Sequence, residues 1–344
     1  MIKFIFSSFS IPFKIYIFAE FYRPAKGIAK NLDMTKNEWK GHGAMWGAEV
    51  MWGLMAPVSK LVLASAVTPL LLTDCRMLGA ACLFWLASVF TKPEHVASKD
   101  LLLLFFASLL GIVFNQGSFI FGLSLTSPIN ASIITTSSPI LTMIIAAFYL
   151  REPVTGKKLA GVFLGALGAL LLIVSGQQNA AGNSNIWGDL LCLLAQLSFS
   201  FYLVLYKGLT ARYSPITLMK WMFTYASICL IPFSYPEILS TDWLSLGGSV
   251  LTGLVAVVFC ATFISYLLIP LGQRYLRPTV TSMYNYIQPI VASSVAIYWG
   301  MDHFNMLKVL AVILVFTGVF FVTTSRSRAD LEKKGMKDLK ETAR

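Results

Sequence analysis

Residues 101–122 read LLLLFFASLLGIVFNQGSFIFG and contain no Asp, Glu, Lys or Arg. A helix of roughly 20 apolar residues is long enough to cross a hydrocarbon core about 30 Å thick. Irregular backbone would leave its polar groups unsatisfied in lipid, so a spanning segment of this kind must be helical. The stretch therefore predicts a transmembrane helix.

The rest of the chain contains further segments of comparable length and apolarity. Because each of them must also be helical in lipid, the sequence predicts an all-α integral membrane fold. We expect ten transmembrane helices, at 44–66, 70–90, 101–122, 127–150, 157–175, 186–206, 215–235, 244–269, 278–299 and 306–324.

The overall composition agrees with a membrane protein. Of the 344 residues, 56% are hydrophobic and 12% are charged, whereas a soluble domain has about 25% charged residues. So few charges cannot cover a water-soluble surface, which excludes soluble enzymes, disordered proteins and free nucleic-acid binders. The five cysteines have no paired spacing and there are only three histidines, so we expect neither a disulfide framework nor a zinc site, and no cofactor.

The net charge of +11 is explained by membrane orientation. Basic residues accumulate in cytoplasmic loops, and here they occupy alternate loops, while 175–185 and 235–242 contain none. We therefore place both termini in the cytoplasm and the protein in the cytoplasmic (inner) cell membrane, in contact with lipid and without a nucleic-acid partner. The basic inner residues are Lys92, Lys99, Arg151, Lys157, Lys158, Lys207, Arg212, Lys220, Arg274, Arg277 and those of the tail 325–344; Lys308 is the exception.

The N-terminal segment 1–43 is expected to be cytoplasmic, although residues 1–33 fit this scheme less well. Residues 1–21 are apolar but are interrupted by Lys3, Pro12, Lys14 and Glu20, and they have no small-residue cleavage site. The segment is consistent with an interfacial helix or with an eleventh span. Our preferred hypothesis is a misassigned start, with translation beginning at Met34.

The sequence also repeats itself. Residues 126–173 align without a gap with 276–323, and two prolines and a glycine fall in register. The repeat unit contains five helices, at 44–175 and 186–324, so the second copy enters the membrane from the opposite side. Inverted repeats are typical of secondary transporters, whose substrate site lies at the repeat interface near the membrane midplane. The aligned pairs are Pro128 with Pro278, Pro139 with Pro289, and Gly168 with Gly318; upstream, at a shorter offset, Thr68-Pro69 resembles Ser214-Pro215.

Several local motifs extend this picture. They are Trp52-Gly53 with Pro57 and Lys60, Thr68-Pro69 with Arg76, the block from Pro128 through Pro139 to Arg151-Glu152 and Gly156-Lys157-Lys158, and the second copy from Pro278 through Pro289 to Gly318. With them, residues 44–324 resemble an EamA-type transporter of the drug/metabolite transporter superfamily. The resemblance implies two inverted five-helix repeats and transport, or export, of small metabolites.

The second copy departs from the first at one point. It reads Gly300-Met301-Asp302-His303 where the first reads Leu150-Arg151-Glu152-Pro153, so the Arg-Glu pair is not duplicated.

Ionisable residues inside a membrane are costly and mark candidate functional sites. Glu49 lies between Trp46 and Trp52, and burial among apolar neighbours favours the protonated form of a carboxylate. Glu49 is thus a candidate proton-coupling or cation-binding group, unless it reaches headgroup water. Lys60 and Arg76 are candidates for holding a carboxylate or phosphate; snorkelling, or an Asp74 contact that fixes a helix pair, is the alternative.

Uncharged polar residues complete the candidate substrate contacts, because amide and phenol groups orient a polar solute in a dry cavity. The alternative for each is a hydrogen bond between helices. Pro139 and Pro289, expected in mid-helix, are candidate gating kinks or static ones. The uncharged candidates are Asn115 and Gln116, Gln196, and the helix-nine cluster of Tyr284, Asn285 and Gln288.

These residues predict a secondary transporter that moves a small metabolite or drug-like solute across the cytoplasmic membrane by alternating access, and the resemblance implies that the direction is export. Gly161-x-x-x-Gly165 is more typical of helix packing than of a dimer, so we expect a monomer. Two alternatives stay open: an integral membrane enzyme acting on a lipid-linked substrate, and a non-transporting membrane sensor. The enzyme lacks support, because no acidic residues or His-Asp partners form a recognisable catalytic set.

Overall fold

The computed structural model describes residues 36–63, 65, 67–125, 134–175, 186–243, 246–298 and 306–326. Within these ranges the fold is all-helical and contains no strand, which confirms the predicted fold class. The hypothesis on residues 1–33, and the tail beyond 326, lie outside the described residues.

Ten helical units, α1 to α10, follow the predicted segments along the described chain, with one short helix, Lys207–Arg212, between α6 and α7. Three of the units are interrupted: α3 and α8 by a π-helical stretch and α9 by a 3-10 turn. The units are α1, Lys36–Leu63; α2, Pro69–Val89; α3, Ser98–Ser108, Leu109–Phe114 and Asn115–Leu125; α4, Ser138–Tyr149; α5, Gly156–Ser175; α6, Ile186–Leu205; α7, Pro215–Ser240; α8, Gly248–Ala256, Val257–Ile264 and Ser265–Tyr275; α9, Pro278–Met283, Tyr284–Tyr286 and Ile287–Tyr298; α10, Met306–Thr323.

Membrane-spanning potential differs among these units. Within the described ranges, six helices are long and apolar enough to cross a membrane, and α4 is a shorter apolar helix. Large apolar side chains face outwards, with Phe148 84% and Phe90 82% exposed, as a lipid-facing surface requires. The six are Pro69–Val89, Ser98–Gly122, Ile186–Leu205, Pro215–Ser240, Gly248–Tyr275 and Met306–Thr323.

The beginnings of α2 and α7 follow from the same local sequence. Thr68 and Ser214 each cap the helix by accepting a hydrogen bond from the backbone N–H three residues ahead. A proline follows each cap in the first turn, where its missing N–H costs nothing. The sequence similarity between these two starts is therefore a shared capping motif.

α3 and α8 also correspond in detail. They begin 150 residues apart, at Ser98 and Gly248, and end 150 residues apart, at Leu125 and Tyr275. Each contains a π-helical stretch in its middle third. A π segment widens the helix by one residue and turns the side chains that follow it to a new direction.

Close helix contacts occur in matching pairs. A Cβ placed on Gly161 would lie 2.7 Å from the carbonyl oxygen of Gly318, and one on Gly168 would lie 2.6 Å from that of Ala311. Adding 150 to 161 and 168 gives 311 and 318, so α5 and α10 contact each other through corresponding positions. Gly165 packs on the Tyr286 ring, and the Gly161-x-x-x-Gly165 motif is thus a packing contact inside the chain.

A second matching pair joins α3 to α6 and α8 to α1. Gly122 faces Cys192 and the carbonyl oxygen of Gly188, while Gly272 faces Met45 and the carbonyl oxygen of Gly41. Residues at matching places in the two halves of the chain are called counterparts below; they are 147 residues apart in α1 and α6 and 150 apart from α3 and α8 onwards.

The connections predicted to be cytoplasmic are held by ion pairs. Lys158 Nζ donates to Glu152 Oε2 at 2.6 Å, with both side chains buried, and the Thr279 hydroxyl reaches the same oxygen at 3.1 Å. Arg212 pairs with Asp100 at 2.9 Å. Because Thr279 belongs to α9 and Asp100 to α3, both networks join the two halves.

Candidate functional site

Glu49 of α1 lies against α9 in the interior of the bundle. Its side chain is 0% exposed, and its Oε2 accepts a hydrogen bond from Gln288 Nε2 at 2.6 Å. Within the described residues its other carboxylate oxygen, Oε1, has no hydrogen-bond partner. The alternative that Glu49 reaches headgroup water does not fit this burial.

Arg76 of α2 faces α8. Its Nε donates to the Thr262 hydroxyl at 2.9 Å, and its side chain is half-buried. Asp74 does not pair with it: that carboxylate accepts a hydrogen bond from Ser234 of α7. Asp74 therefore fixes the α2–α7 contact and leaves the Nη atoms of Arg76 without an acceptor in the described part of the chain.

Tyr266 of α8 lies beside α3 and α7 in the interior of the bundle. Its hydroxyl accepts a hydrogen bond from Gln116 Nε2 at 3.0 Å, and its ring lies 5.0 Å from that of Phe223. Tyr266 is 2% exposed, and its ring also contacts that of Trp52 in α1. Tyr266 was not predicted from the sequence, because an isolated tyrosine in an apolar helix belongs to no motif.

Trp52 adds an aromatic wall. Its Nε1 donates to the Ala261 carbonyl oxygen at 2.7 Å, which fixes the indole, and its ring meets Tyr266 edge-on at 5.8 Å and Phe199 at 6.5 Å. Such T-shaped contacts hold aromatic rings in a defined orientation. We call the resulting group the central cluster; it consists of Glu49, Trp52, Arg76, Gln116, Phe199, Thr262, Tyr266 and Gln288.

Counterparts meet each other in and near the central cluster. Gln116 and Tyr266 are counterparts joined by a hydrogen bond, and Trp52 and Phe199 are counterparts in ring contact. The Tyr286 hydroxyl donates to the carbonyl oxygen of its counterpart Thr136 at 3.2 Å.

The charges of the central cluster come from one half of the chain. The counterpart of Glu49 is Gln196. If α2 and α7 are aligned at their capping residues, Thr68 and Ser214, Met222 occupies the position that corresponds to Arg76. Gln196 is buried on α6. The site therefore pairs the aromatic Trp52 with an aromatic counterpart, Phe199, whereas its two charged residues have uncharged counterparts.

The predicted helix-nine cluster divides in the structure. Gln288 joins the central cluster, whereas the Tyr284 hydroxyl lies 2.5 Å from Nδ1 of His42. Asn285 is buried within the 3-10 turn. The proximity of these residues in sequence therefore does not bring their polar groups to one point.

Two further predicted residues lie elsewhere. Asn115 Nδ2 donates to the Ala195 carbonyl oxygen at 3.0 Å, which makes it a contact between α3 and α6. Lys60 lies near the end of α1, and its side chain is outside the described residues.

The two prolines differ from expectation. Pro139 is not in mid-helix as predicted: it stands in the first turn of α4, after a turn at 136–137, where a proline removes no helical hydrogen bond. Pro289 is the third residue of the helical stretch Ile287–Tyr298, which follows the 3-10 turn of α9. Both prolines thus follow an interruption of the helix.

Comparisons with known proteins extend these observations. The model of the EamA-like transporter family matches residues 39–174 and 186–324. The chain is 25% identical to the uncharacterized transporter YyaM of Bacillus subtilis over 247 residues, covering 70% of this chain and 79% of YyaM. It is 23% identical over 219 residues to the S-adenosylmethionine uptake transporter of Rickettsia felis, covering 63% and 70% of the two chains.

The fold has also been observed in a crystal structure. That chain superposes with a TM-score of 0.67 at 18% identity, and the match covers 82% of this chain and 96% of the other. This likeness concerns the fold alone. The family match covers two blocks that span most of the chain, so the protein is a multi-pass membrane transporter of the EamA-like family, in the drug/metabolite transporter superfamily.

Proposed function

We propose that the protein is a secondary transporter that exports a small metabolite or drug-like solute by alternating access. The observation that carries this proposal is the contact between counterparts: Gln116 with Tyr266, and Trp52 with Phe199. When two units are related by a symmetry axis, a residue contacts its own counterpart only close to that axis. The central cluster then lies on that axis, at the interface where secondary transporters bind their substrates.

The unit of five helices supports an inverted arrangement. Ten spans in two such units give the halves opposite directions through the membrane, and an axis in the membrane plane relates them. Exchanging the conformations of the two halves would open the central cluster to one side and then to the other. The alternation of basic loops supports cytoplasmic termini and an inner-membrane location.

Within this mechanism we assign Arg76 and Gln116 to the solute. Within the described residues the hydrogen bond of Arg76 uses Nε, which leaves its Nη donors for an acidic group, and Gln116 has an amide beside the Tyr266 hydroxyl. Gln196, Tyr284, Asn285 and Lys60 stay candidates for contacts in other conformations of the cycle, and Pro139 and Pro289 for its gating.

We assign Glu49 to coupling. Its carboxylate is buried and has one oxygen without a partner among the described residues. Such a group is stabilised either by a proton or by a cationic group, but it cannot hold both. Competition between a proton and the solute for Glu49 would exchange one for the other across the membrane. Such an exchange drives export when protons flow inwards.

The test is solute flux in proteoliposomes that contain the full chain, with and without a proton gradient, measured for both directions. Export is the direction implied by the family resemblance, while the Rickettsia felis relative is named for uptake. We expect wild-type flux to depend on the gradient and Glu49→Gln to lose that dependence. Asp189→Asn, which removes an acid from the first turn of α6, serves as the control.

Symmetry offers a second test. In the Glu49→Gln background, Gln196→Glu places a carboxylate at the counterpart position. We expect it to restore part of the gradient-dependent flux if the halves are functionally equivalent. Loss of all flux in the double variant, with the protein correctly folded, would argue against this equivalence, and unchanged pH dependence in Glu49→Gln would remove Glu49 as the coupling group.

A further inference from the structure

We propose that Lys220 and Trp85 form a binding site for the phosphate group of an anionic phospholipid, on the lipid-facing side of the contact between α2 and α7. The site shares no residue with the central cluster, and the proposal does not depend on which solute is transported. It rests on the contacts of one ammonium group with two indole rings and on their level in the membrane.

The Lys220 ammonium lies over two indole rings. Its Nζ is 4.5 Å from the centroid of the Trp85 ring and 5.9 Å from that of the Trp221 ring. The two rings meet edge-on, with their centroids 5.7 Å apart. A cation is attracted to the negative face of an aromatic ring, and tryptophan gives the strongest contact of this kind. The indoles therefore give the ammonium a defined position at the surface of the bundle.

Hydrogen bonds hold this arrangement in place. Trp85 Nε1 donates to the Thr224 hydroxyl at 3.0 Å, and this hydroxyl donates to the Lys220 carbonyl oxygen at 2.7 Å. The first bond joins α2 to α7, and the second lies within α7. We call Trp85, Lys220, Trp221 and Thr224 the lysine–tryptophan site. Because its groups are already fixed, a ligand has little ordering to impose on them.

Lys220 has no carboxylate partner in the part of the chain that the structure describes. The salt bridges found there join Lys158 to Glu152 and Arg212 to Asp100. An ammonium has three N–H donors, and an indole face covers only one side of it. An anion at this place would supply both the missing charge and acceptors for the remaining donors.

The level of the site in the membrane indicates where the anion comes from. Lys220 follows Pro215, the first residue of α7, by about 7.5 Å along the helix axis, and Trp85 lies in the last turns of α2. Glu94 accepts a hydrogen bond from the Ser214 N–H at 3.0 Å, so the two helix ends lie at one face of the bundle. The polar layer beside the hydrocarbon core is about 5–7 Å deep, and tryptophan is enriched there. The ammonium therefore reaches the phosphate level of the lipids.

The surroundings of the site suit the acyl chains of such a lipid. Trp85 is 44% exposed and Leu86 is 58% exposed. Ile228 follows Lys220 by two steps of four residues, so it lies on the same face of α7, and it is 60% exposed. A phospholipid whose phosphate contacts Lys220 can lay its chains on this apolar surface, whereas a soluble anion has no such second contact.

The test measures lipid retention by the purified full chain. Native mass spectrometry compares phosphatidylglycerol with phosphatidylcholine of identical acyl chains, so that the two lipids differ only in the headgroup. One basic residue near the membrane surface favours anionic lipid by a factor of about five. We expect wild type to retain one phosphatidylglycerol molecule about fivefold more tightly than phosphatidylcholine. Inorganic phosphate at millimolar concentration should not displace it, because phosphate lacks acyl chains.

Four variants locate the site. Lys220→Gln should retain the two lipids equally, whereas Lys220→Arg keeps a cation over the indoles and should keep the preference. Trp85→Leu should lose most of the preference, because the ammonium is then no longer held at its place. Lys92→Gln removes an exposed lysine of the adjacent connection and should behave as wild type. Lys220→Gln and Trp85→Leu change different helices, so one of them still decides the question if the other does not fold.

Three results would overturn the proposal. Equal retention of the two lipids by wild type is expected if Lys220 only extends to water. An unchanged preference in Lys220→Gln would place the bound lipid elsewhere, and an equal loss in Lys92→Gln would indicate attraction by the whole basic face. Displacement of the lipid by inorganic phosphate would overturn the assignment to a phospholipid.

Discussion

Lys158→Met is expected to destabilise the protein strongly. Lys158 is fully buried, and its Nζ lies 2.6 Å from Glu152 Oε2. Removing one partner of a buried ion pair costs about 3–5 kcal/mol, because the other charge stays buried without its partner. The Thr279 hydroxyl still donates to Glu152, so we expect a value near the lower end, about 3 kcal/mol.

Thermal unfolding of the purified full chain in detergent measures this loss. At about 2 °C per kcal/mol for a chain of this size, Lys158→Met should lower Tm by about 6 °C. Arg212→Met is the matched control, because the side chain of Arg212 is 53% exposed in its pair with Asp100. Asp100 is buried but keeps the hydrogen bond from the Tyr213 hydroxyl at 2.6 Å. Because water also screens the half-exposed guanidinium, we expect this pair to contribute about 1 kcal/mol or less and the control to stay within about 2 °C of wild type.

The double variant Lys158→Met with Glu152→Gln identifies the cause. Replacing the carboxylate by a neutral amide removes the unpaired charge, and we expect it to recover most of the lost stability. A Lys158→Met protein within about 2 °C of wild type would refute the reasoning. So would a double variant as unstable as the single one, since the loss would then come from packing and not from charge.

Two further predictions concern the acid stability of a connecting segment and the space at a helix contact. Burial alone raises the pKa of Glu94, but hydrogen bonds from Thr217 and Ser214 lower it below its usual value. The stability that results is present above the usual pKa of a glutamate and is lost as the pH falls through the lowered pKa. Glu94→Gln should therefore flatten the acid limb of a Tm-against-pH curve, and an unchanged curve would contradict this prediction. Gly318→Ala puts a Cβ 2.5 Å from a backbone oxygen and should lower the free energy of unfolding by about 1–3 kcal/mol. Gly43→Ala, with open space around its Cβ, should raise it by about 0.5–1 kcal/mol. Equal shifts in Tm for the two variants would argue against the close contact at Gly318.

The fold class could be predicted from the sequence because lipid leaves the backbone few choices. An uncharged segment such as 101–122 has to be a helix in the membrane, and the internal repeat constrains how the helices follow one another. The exact interruptions could not be predicted. The π segment Leu109–Phe114 and the break before Pro139 depend on packing against other helices, which hydropathy does not report.

The candidate site could be predicted only in part. Glu49 and Arg76 stood out because ionisable residues are rare in membrane segments, and Gln116 and Gln288 because amides are uncommon there. Tyr266 and Phe199 had no such signal, since aromatic residues abound in this chain. Their role depends on contacts between residues 147–150 positions apart, and pairing Gln116 with its counterpart at the offset of 150 would have pointed to Tyr266.

The π-helical stretches of α3 and α8 also bear on how the two halves of the chain stayed comparable. A π segment commonly marks one residue inserted into an α-helix, and an insertion in one helix alone would have shifted every later pair by one position. Here the spacing of 150 holds from Ser98 and Gly248 through Gly161 and Ala311. The insertions are therefore present in both copies. Either they were made before the duplication, or both halves require the same π-helical irregularity. A deletion of one residue in either stretch would keep the protein helical while turning Gln116 or Tyr266 away from its counterpart.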